Sequence, residues 1–275
     1  MRSIAIINQK GGVGKTTTAV NLSAALAEAG QRVCLVDLDP QAHATLHLGM
    51  TLHENEASVY DVMMGGAHFV DICRPIRPNL SLIPAHIDLA ATEVELAGEV
   101  GREVVLRDKF NAYEQDYDFR VVDCPPSLGV LTLNALSFVE EVFLPMQPHF
   151  LALHGLSKLL GTIDVVSRRL NPRLRLSGIV FCMYESGTRL AAEVRGDVEE
   201  FFRCVHDPTT PWAQACAFET NIRRNIRLAE APSFGQSILE YAPQSHGADD
   251  YRRLAMEVMA KALPQAISAR LAPAS

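Results

Sequence analysis

The sequence predicts an α/β fold, a mostly parallel sheet sandwiched between helices in three layers, as one domain over residues 1–265 with a C-terminal tail at 266–275. Three observations predict it. Short apolar runs of strand-forming residues recur at 3–8, 32–37, 80–83, 119–122, 141–146 and 176–183. Stretches of helically spaced apolar residues separate them, and strands covered on both faces by helices read as such continuous runs. The first two runs are joined by a glycine-rich turn and a helical pattern within about 35 residues, a βαβ unit whose strands must be parallel.

The elements follow in order. After the first run, Ala19, Leu22, Ala25, Leu26 and Ala29 mark the buried face of a helix that stops at Gly30. The second run ends in Asp37-Leu-Asp-Pro40. Further along, Leu153, Leu156, Leu160, Ile163 and Val166 step by three and four, predicting a helix over 150–170 that ends before Pro172. The least ordered-looking pieces are 206–215, rich in Pro and Thr, and the tail after Leu263. No internal repeat is present.

At 275 residues with 48% hydrophobic content, the chain can bury a large core. A formal charge of −7 excludes a uniformly basic surface, so any DNA contact must be a local patch. The six cysteines lack CxxC spacing and several sit in apolar runs, so they are expected to be reduced, buried and cytosolic. Residues 1–7 are too short an apolar run for a signal peptide or a membrane span, and neither is expected.

The chemistry is concentrated in Lys10-Gly-Gly-Val-Gly-Lys-Thr-Thr17. A loop that leaves a strand and opens a helix presents backbone N–H groups, and the positive end of the helix dipole, to an anion. Gly11, Gly12 and Gly14 permit that path around Val13. Lys15 would neutralise β- and γ-phosphate oxygens and the Thr16 hydroxyl would ligate Mg²⁺, so the cofactors expected are ATP and Mg²⁺. Thr17 adds a contact at the α-phosphate. The general pattern wants Gly at position 9, where this chain has Gln9, and a second lysine, Lys10, precedes the glycine pair. Asp123 closes an apolar strand at the edge where open α/β sheets bind ligands, which suits a Walker B carboxylate holding Mg²⁺ through water.

This loop resembles the deviant Walker A signature of P-loop NTPases of the ParA/Soj, MinD and nitrogenase iron-protein group, and the chain is most similar to ParA/Soj. The resemblance continues through Val36-Asp-Leu-Asp-Pro-Gln41, Val121-Val-Asp-Cys-Pro-Pro-Ser-Leu-Gly129, Leu144-Pro-Met-Gln-Pro148 with Leu153-His-Gly-Leu156, and Asn225-Ile-Arg-Leu-Ala-Glu-Ala-Pro-Ser233. It implies an ATP-dependent sandwich homodimer in which Lys10 reaches the partner's phosphates, as an arginine finger does. It assigns Asp39 to orienting or deprotonating the attacking water and leaves Asp37 as a further candidate at the metal. Where the family usually continues Gly-Asn-Ala-Thr after this segment, the chain has Ala42-His-Ala-Thr45, so the first switch is expected to move differently.

Thr220-Asn-Ile-Arg-Arg-Asn-Ile-Arg227 resembles the family's adenine-holding segment, which carries over to Asn225 and to Arg223, the latter standing where Pro is usual. Arg224 and Arg227 match positions at the family's non-specific DNA surface. A further basic position of relatives is here Gly187, with Arg189 two residues on as its replacement. The implied partners are a second copy of the chain, non-specific double-stranded DNA and a ParB-like stimulating protein, in the cytoplasm and on the nucleoid when ATP is bound. The sequence opens on its P-loop strand, so the DNA-binding extension of some plasmid relatives is not expected. A MinD-like membrane switch is the alternative, but the tail from Lys261 carries Pro264 and no aromatic residue, so no membrane contact is expected. Cys124 has no second cysteine matching an iron-protein site.

Overall fold

Strand formation follows the apolar runs. The computed structural model describes residues 1–53, 56–111, 117–149, 155–205 and 207–261. In it β1 spans Arg2–Ile6, β2 Val33–Asp37, β3 Arg74–Arg77, β4 Leu80–Ile83, β5 Phe119–Asp123, β6 Glu141–Met146, β7 Arg175–Tyr184, β8 Cys216–Ala217 and β9 Ile222–Arg223. Their order across the sheet is β3-β4-β2-β5-β1-β6-β7-β8, with β9 pairing β7 beyond β8. Only the β3–β4 pair is antiparallel among the described strands.

The sequence reading missed β3, β8 and β9. The segment Arg74-Pro-Ile-Arg77 is too polar to register as a run, and its proline is tolerated because β3 lies at the sheet edge. A second correction concerns β1 and β2, which are parallel but not neighbours: β5 lies between them. The strand ends Ile6, Asp123 and Asp37 therefore stand side by side, with Asp123 in the middle.

Alternation along each strand fills two cores. Ile4 and Ile6 join the buried residues of the Lys15–Glu28 and His246–Ala260 helices on one face. Ala5 and Ile7 join those of the Val130–Phe138 and Leu156–Arg169 helices on the other. A period of two thus divides one apolar run between two layers. The first helix ends near the expected glycine, with Gly30 left-handed at φ 87°. The helix expected over 150–170 is described from Leu156 to Arg169, and its first five predicted residues, together with the tail at 266–275, lie outside the described residues.

The cysteine expectation needs correcting. Cys34, Cys124 and Cys182 are buried, but Cys73 is half-buried and Cys204 and Cys216 are exposed. The stretch 203–217 closes a sheet edge: Leu176 N–H donates to Pro211 O at 2.8 Å, Trp212 packs on the core, and β8 pairs with β7. Among the described residues no helix is long and apolar enough to cross a membrane.

Gly178 on β7 is held by packing. A Cβ there would stand 2.1 Å from Cε2 of the fully buried Phe218, whose ring in turn meets Phe143 edge-on at 4.9 Å. Gly178→Ala is therefore expected to destabilise the protein by about 1–3 kcal/mol through overpacking. Urea unfolding checks this as a lowered midpoint with an unchanged slope.

Candidate nucleotide site

The phosphate loop is shaped by its backbone before any side chain acts. Ile7 N–H donates to Phe143 O, extending the β1–β6 ladder, and Asn8 then ties two segments together, its Nδ2 donating to Pro145 O at 2.8 Å and its Oδ1 accepting from Lys10 N–H at 2.9 Å. Gly12 and Gly14 take φ of 72° and 95°, left-handed values that a side chain disfavours. Gly14 is also the N-cap of the Lys15–Glu28 helix, with no side-chain cap and no acidic residue in the first turn. The first intrahelical bond runs from Thr18 N–H to Gly14 O, so the amides ahead of it have no helical acceptor. Uncapped amides at the positive end of a helix are an anion site.

Lys15 and Lys10 play different structural parts. Lys15 is buried and its Nζ donates to Lys10 O at 3.3 Å. Burial pushes its pKa down, while the charges of Asp123 and Asp39 push it back up. Lys10 is exposed on the outer side of the loop, its Nζ against His149 Nε2.

Asp123 sits opposite the loop and is fully buried, yet among the described residues neither of its carboxylate oxygens has a hydrogen-bond partner. Burial, followed by the charge of Asp37, raises its pKa well above the carboxylate range, against the nearby Thr16 hydroxyl and the Lys15 ammonium. A buried, unpartnered carboxylate beside a hydroxyl fits a hydrated divalent cation. No group of three or more His, Cys, Asp or Glu among the described residues is arranged to hold a metal, so Mg²⁺ would depend on Thr16, Asp123 and the phosphates themselves.

Asp37 was the further metal candidate, and the structure gives its oxygens another use. Oδ2 accepts from Thr45 N–H at 2.8 Å and Thr45 Oγ1 at 2.7 Å, and Oδ1 accepts from Asp39 N–H at 3.2 Å. Its pKa is raised to about 6, chiefly by burial. Asp37 therefore organises the loop after β2. Asp39, nearly buried, spends Oδ1 on Gln41 N–H at 2.9 Å, and its charge is felt at Lys15. Ala42 takes φ of 52°, a left-handed conformation that glycine adopts freely. Holding an alanine in that conformation costs about 1–2 kcal/mol relative to glycine.

Two cavities flank the loop. One of about 430 Å³ is walled by Gly14, Thr17, Cys182, Met183, Asn225 and Tyr251, mostly apolar surface beside the helix start, as a base pocket should be. Asn225 caps the Ile226–Glu230 helix through Arg227 N–H. Arg223 lines the same cavity, but its guanidinium is turned away to Asp250 at 2.6 Å and to Asp249. Sequence reasoning missed Tyr251, whose hydroxyl meets Thr18 Oγ1 at 3.3 Å; within its helix it reads only as another core position. The other cavity, about 250 Å³, holds Lys10 and His149.

The three arginines proposed for DNA lie near the same end of the sheet, each on a glutamate. Arg224 pairs with Glu185 at 2.7 Å, Arg227 with Glu230 at 2.9 Å and Arg189 with Glu193 at 2.9 Å. The three arginines are largely exposed, as are Glu185 and Glu193, while Glu230 is half-buried and also accepts from the Tyr241 hydroxyl.

A family model described as an AAA domain matches residues 1–176. The sporulation initiation inhibitor protein Soj of Bacillus subtilis is 45% identical over 258 residues, covering 94% of this chain and 98% of that protein. The chromosome-partitioning ATPase Soj of Thermus thermophilus is 46% identical over 261 residues, covering 95% and 96%. Among solved structures, cobyrinic acid a,c-diamide synthase from Mycobacterium smegmatis with bound ADP and magnesium has a TM-score of 0.79 at 35% identity, covering 94% of each chain.

Proposed function

The chain belongs to the ParA/Soj family of chromosome-partitioning ATPases, and from that premise we propose that it binds Mg-ATP, closes on it as a sandwich homodimer, and in that state binds DNA non-specifically. Hydrolysis is slow until a ParB-like partner stimulates it, and the cycle moves or positions cargo on the nucleoid. The observation that carries this reading is the uncapped helix start at Gly14 facing a buried Asp123 with no hydrogen-bond partner among the described residues. ATP with and without magnesium in a calorimeter tests it; no magnesium-dependent affinity for adenine nucleotide would end it.

Each residue then has a physical task. The amides of Gly11 to Thr17 bind phosphate oxygens, and Lys15 neutralises them from within the subunit. Thr16 and, through water, Asp123 would hold Mg²⁺, which when bound offsets charge on the β- and γ-phosphates. Asp39 positions the attacking water and takes its proton. Lys10 supplies positive charge to the partner's phosphates, which is why turnover needs two subunits. Asn225 and the backbone at Arg223 help hold the base. Residues 1–265 act as one domain.

DNA binding draws on Arg189, Arg224 and Arg227. The arginine ends of these ion pairs are exposed and the pairs correspondingly weak, so phosphates can replace the glutamates. With about six phosphates neutralised by a dimer, affinity for random duplex should fall roughly 10³-fold between 50 and 200 mM salt. Arg224→Ala combined with Arg227→Ala should reduce the salt slope by about four, since each contact contributes about one. Salt-independent binding, or none with ATP present, would remove this part of the function.

A further inference from the structure

The trans role of Lys10 leaves open where its ammonium sits before a partner arrives. In this chain it sits on His149. Lys10 Nζ is hydrogen-bonded to His149 Nε2 across the cavity formed by the outer side of the loop, the end of β6 and the start of the Leu156–Arg169 helix. The loop backbone does not depend on this contact, because Asn8 already fixes the Lys10 amide and the Pro145 carbonyl. Only the lysine side chain is free to choose between acceptors. Burial, and then the neighbouring Lys10 charge, hold the His149 pKa below the ordinary histidine range, so the ring is neutral near pH 7 and can accept from an ammonium. Lys10 and His149 are the only titratable side chains among the described residues lining this cavity, which otherwise presents Asn8, Gln9, Gln147 and apolar residues such as Leu144 and Leu159.

We propose that His149 is a positioning residue for Lys10: its imidazole holds the lysine ammonium on its own subunit until the phosphates of a nucleotide-bound partner take it over. This rests on the trans role given to Lys10 above. One Nζ cannot lie in its own subunit's cavity and on the partner's phosphates at once, so dimerisation must break the contact. His149 therefore opposes closure without ATP and yields when polyvalent phosphate offers a stronger acceptor. Protonated His149 cannot accept and repels the lysine, so acidification releases the latch.

Sedimentation with a non-hydrolysable ATP analogue tests this on the full chain. His149→Phe keeps a ring in the apolar cavity but removes the acceptor, and should tighten dimerisation roughly two- to five-fold at pH 8, the size of a partly exposed charged contact. His149→Gln keeps an acceptor that does not titrate, and should match wild type at pH 8. As pH falls from 8 to 5, through the lowered His149 midpoint, wild type should converge on His149→Phe while His149→Gln does not. A His149→Phe protein that dimerises no more tightly than wild type at pH 8, or a ratio between them that does not change with pH, would overturn the latch. NMR of the nucleotide-free monomer provides the separate arm: the His149 titration midpoint should rise in Lys10→Ala. No rise, with turnover lost in that variant, overturns the latch alone. A rise with full turnover locates the failure in the trans role and overturns the proposal with it.

Discussion

Lys10→Ala protein is expected to bind Mg-ATP with near-normal affinity and to hydrolyse it about 10³-fold or more slowly, the range removed with an arginine finger. The two lysines are separated in space for this. Lys15 is buried among the carboxylates, where it would serve its own subunit's phosphates, while Lys10 is exposed and its amide is fixed by Asn8 whatever the side chain. Truncation at Lys10 should therefore spare the loop. Mixing Lys10→Ala with Asp39→Ala protein separates trans from cis action. If Lys10 acts across the interface, the mixture should recover about a quarter of wild-type turnover, because half of the symmetric dimers are mixed and each has one site with both groups. No recovery would mean that the lysine serves its own nucleotide.

Asp39→Ala should bind ATP, dimerise and stall, with hydrolysis reduced by about 10²–10⁴-fold, the usual contribution of a positioned general base. The carboxylate is placed by a lattice that survives its removal. Asp37 grips Thr45 through both backbone and hydroxyl, Thr45 Oγ1 accepts from Ala85 N–H at 3.1 Å, and Asp39 contributes its amide to Asp37 and its carbonyl to Ala42 N–H, while its side chain gives one oxygen to Gln41 N–H. Asp39→Asn keeps an oxygen for Gln41 and should stall equally, since an amide cannot take a proton. Single-turnover phosphate release, with sedimentation to show dimers accumulating, measures both variants; rapid release from either contradicts the assignment.

Much of the fold was legible because a parallel sheet covered on both faces leaves little room for polar residues. The runs at 80–83 and 141–146 match β4 and β6, and those at 119–122 and 176–183 fall within β5 and β7. The elements that escaped are short or sit at edges: β3, where Arg74 and Arg77 remain only half-buried, and the two-residue β8 and β9. Of the site, the phosphate loop was legible because its function lies in its backbone, and glycine positions reveal a backbone path. The bonds of Asp37 to Thr45 and Asp39 were not legible, because spacing along a strand tells which residues share a face but not which partner each one meets.

The sequence alone settled the α/β class and the family, and it nominated the residues to meet a triphosphate, since local chain chemistry dictates a glycine loop between a strand and a helix. Only the tertiary structure decided the rest. It inserted β5 between β1 and β2, setting Asp123 between the loop and Asp37; it left that carboxylate buried and, among the described residues, unpartnered; it brought Tyr251 to Thr18 and His149 to Lys10. These are contacts between residues more than eighty positions apart, fixed by how layers pack, and no local pattern encodes the neighbour a side chain will find across a sheet.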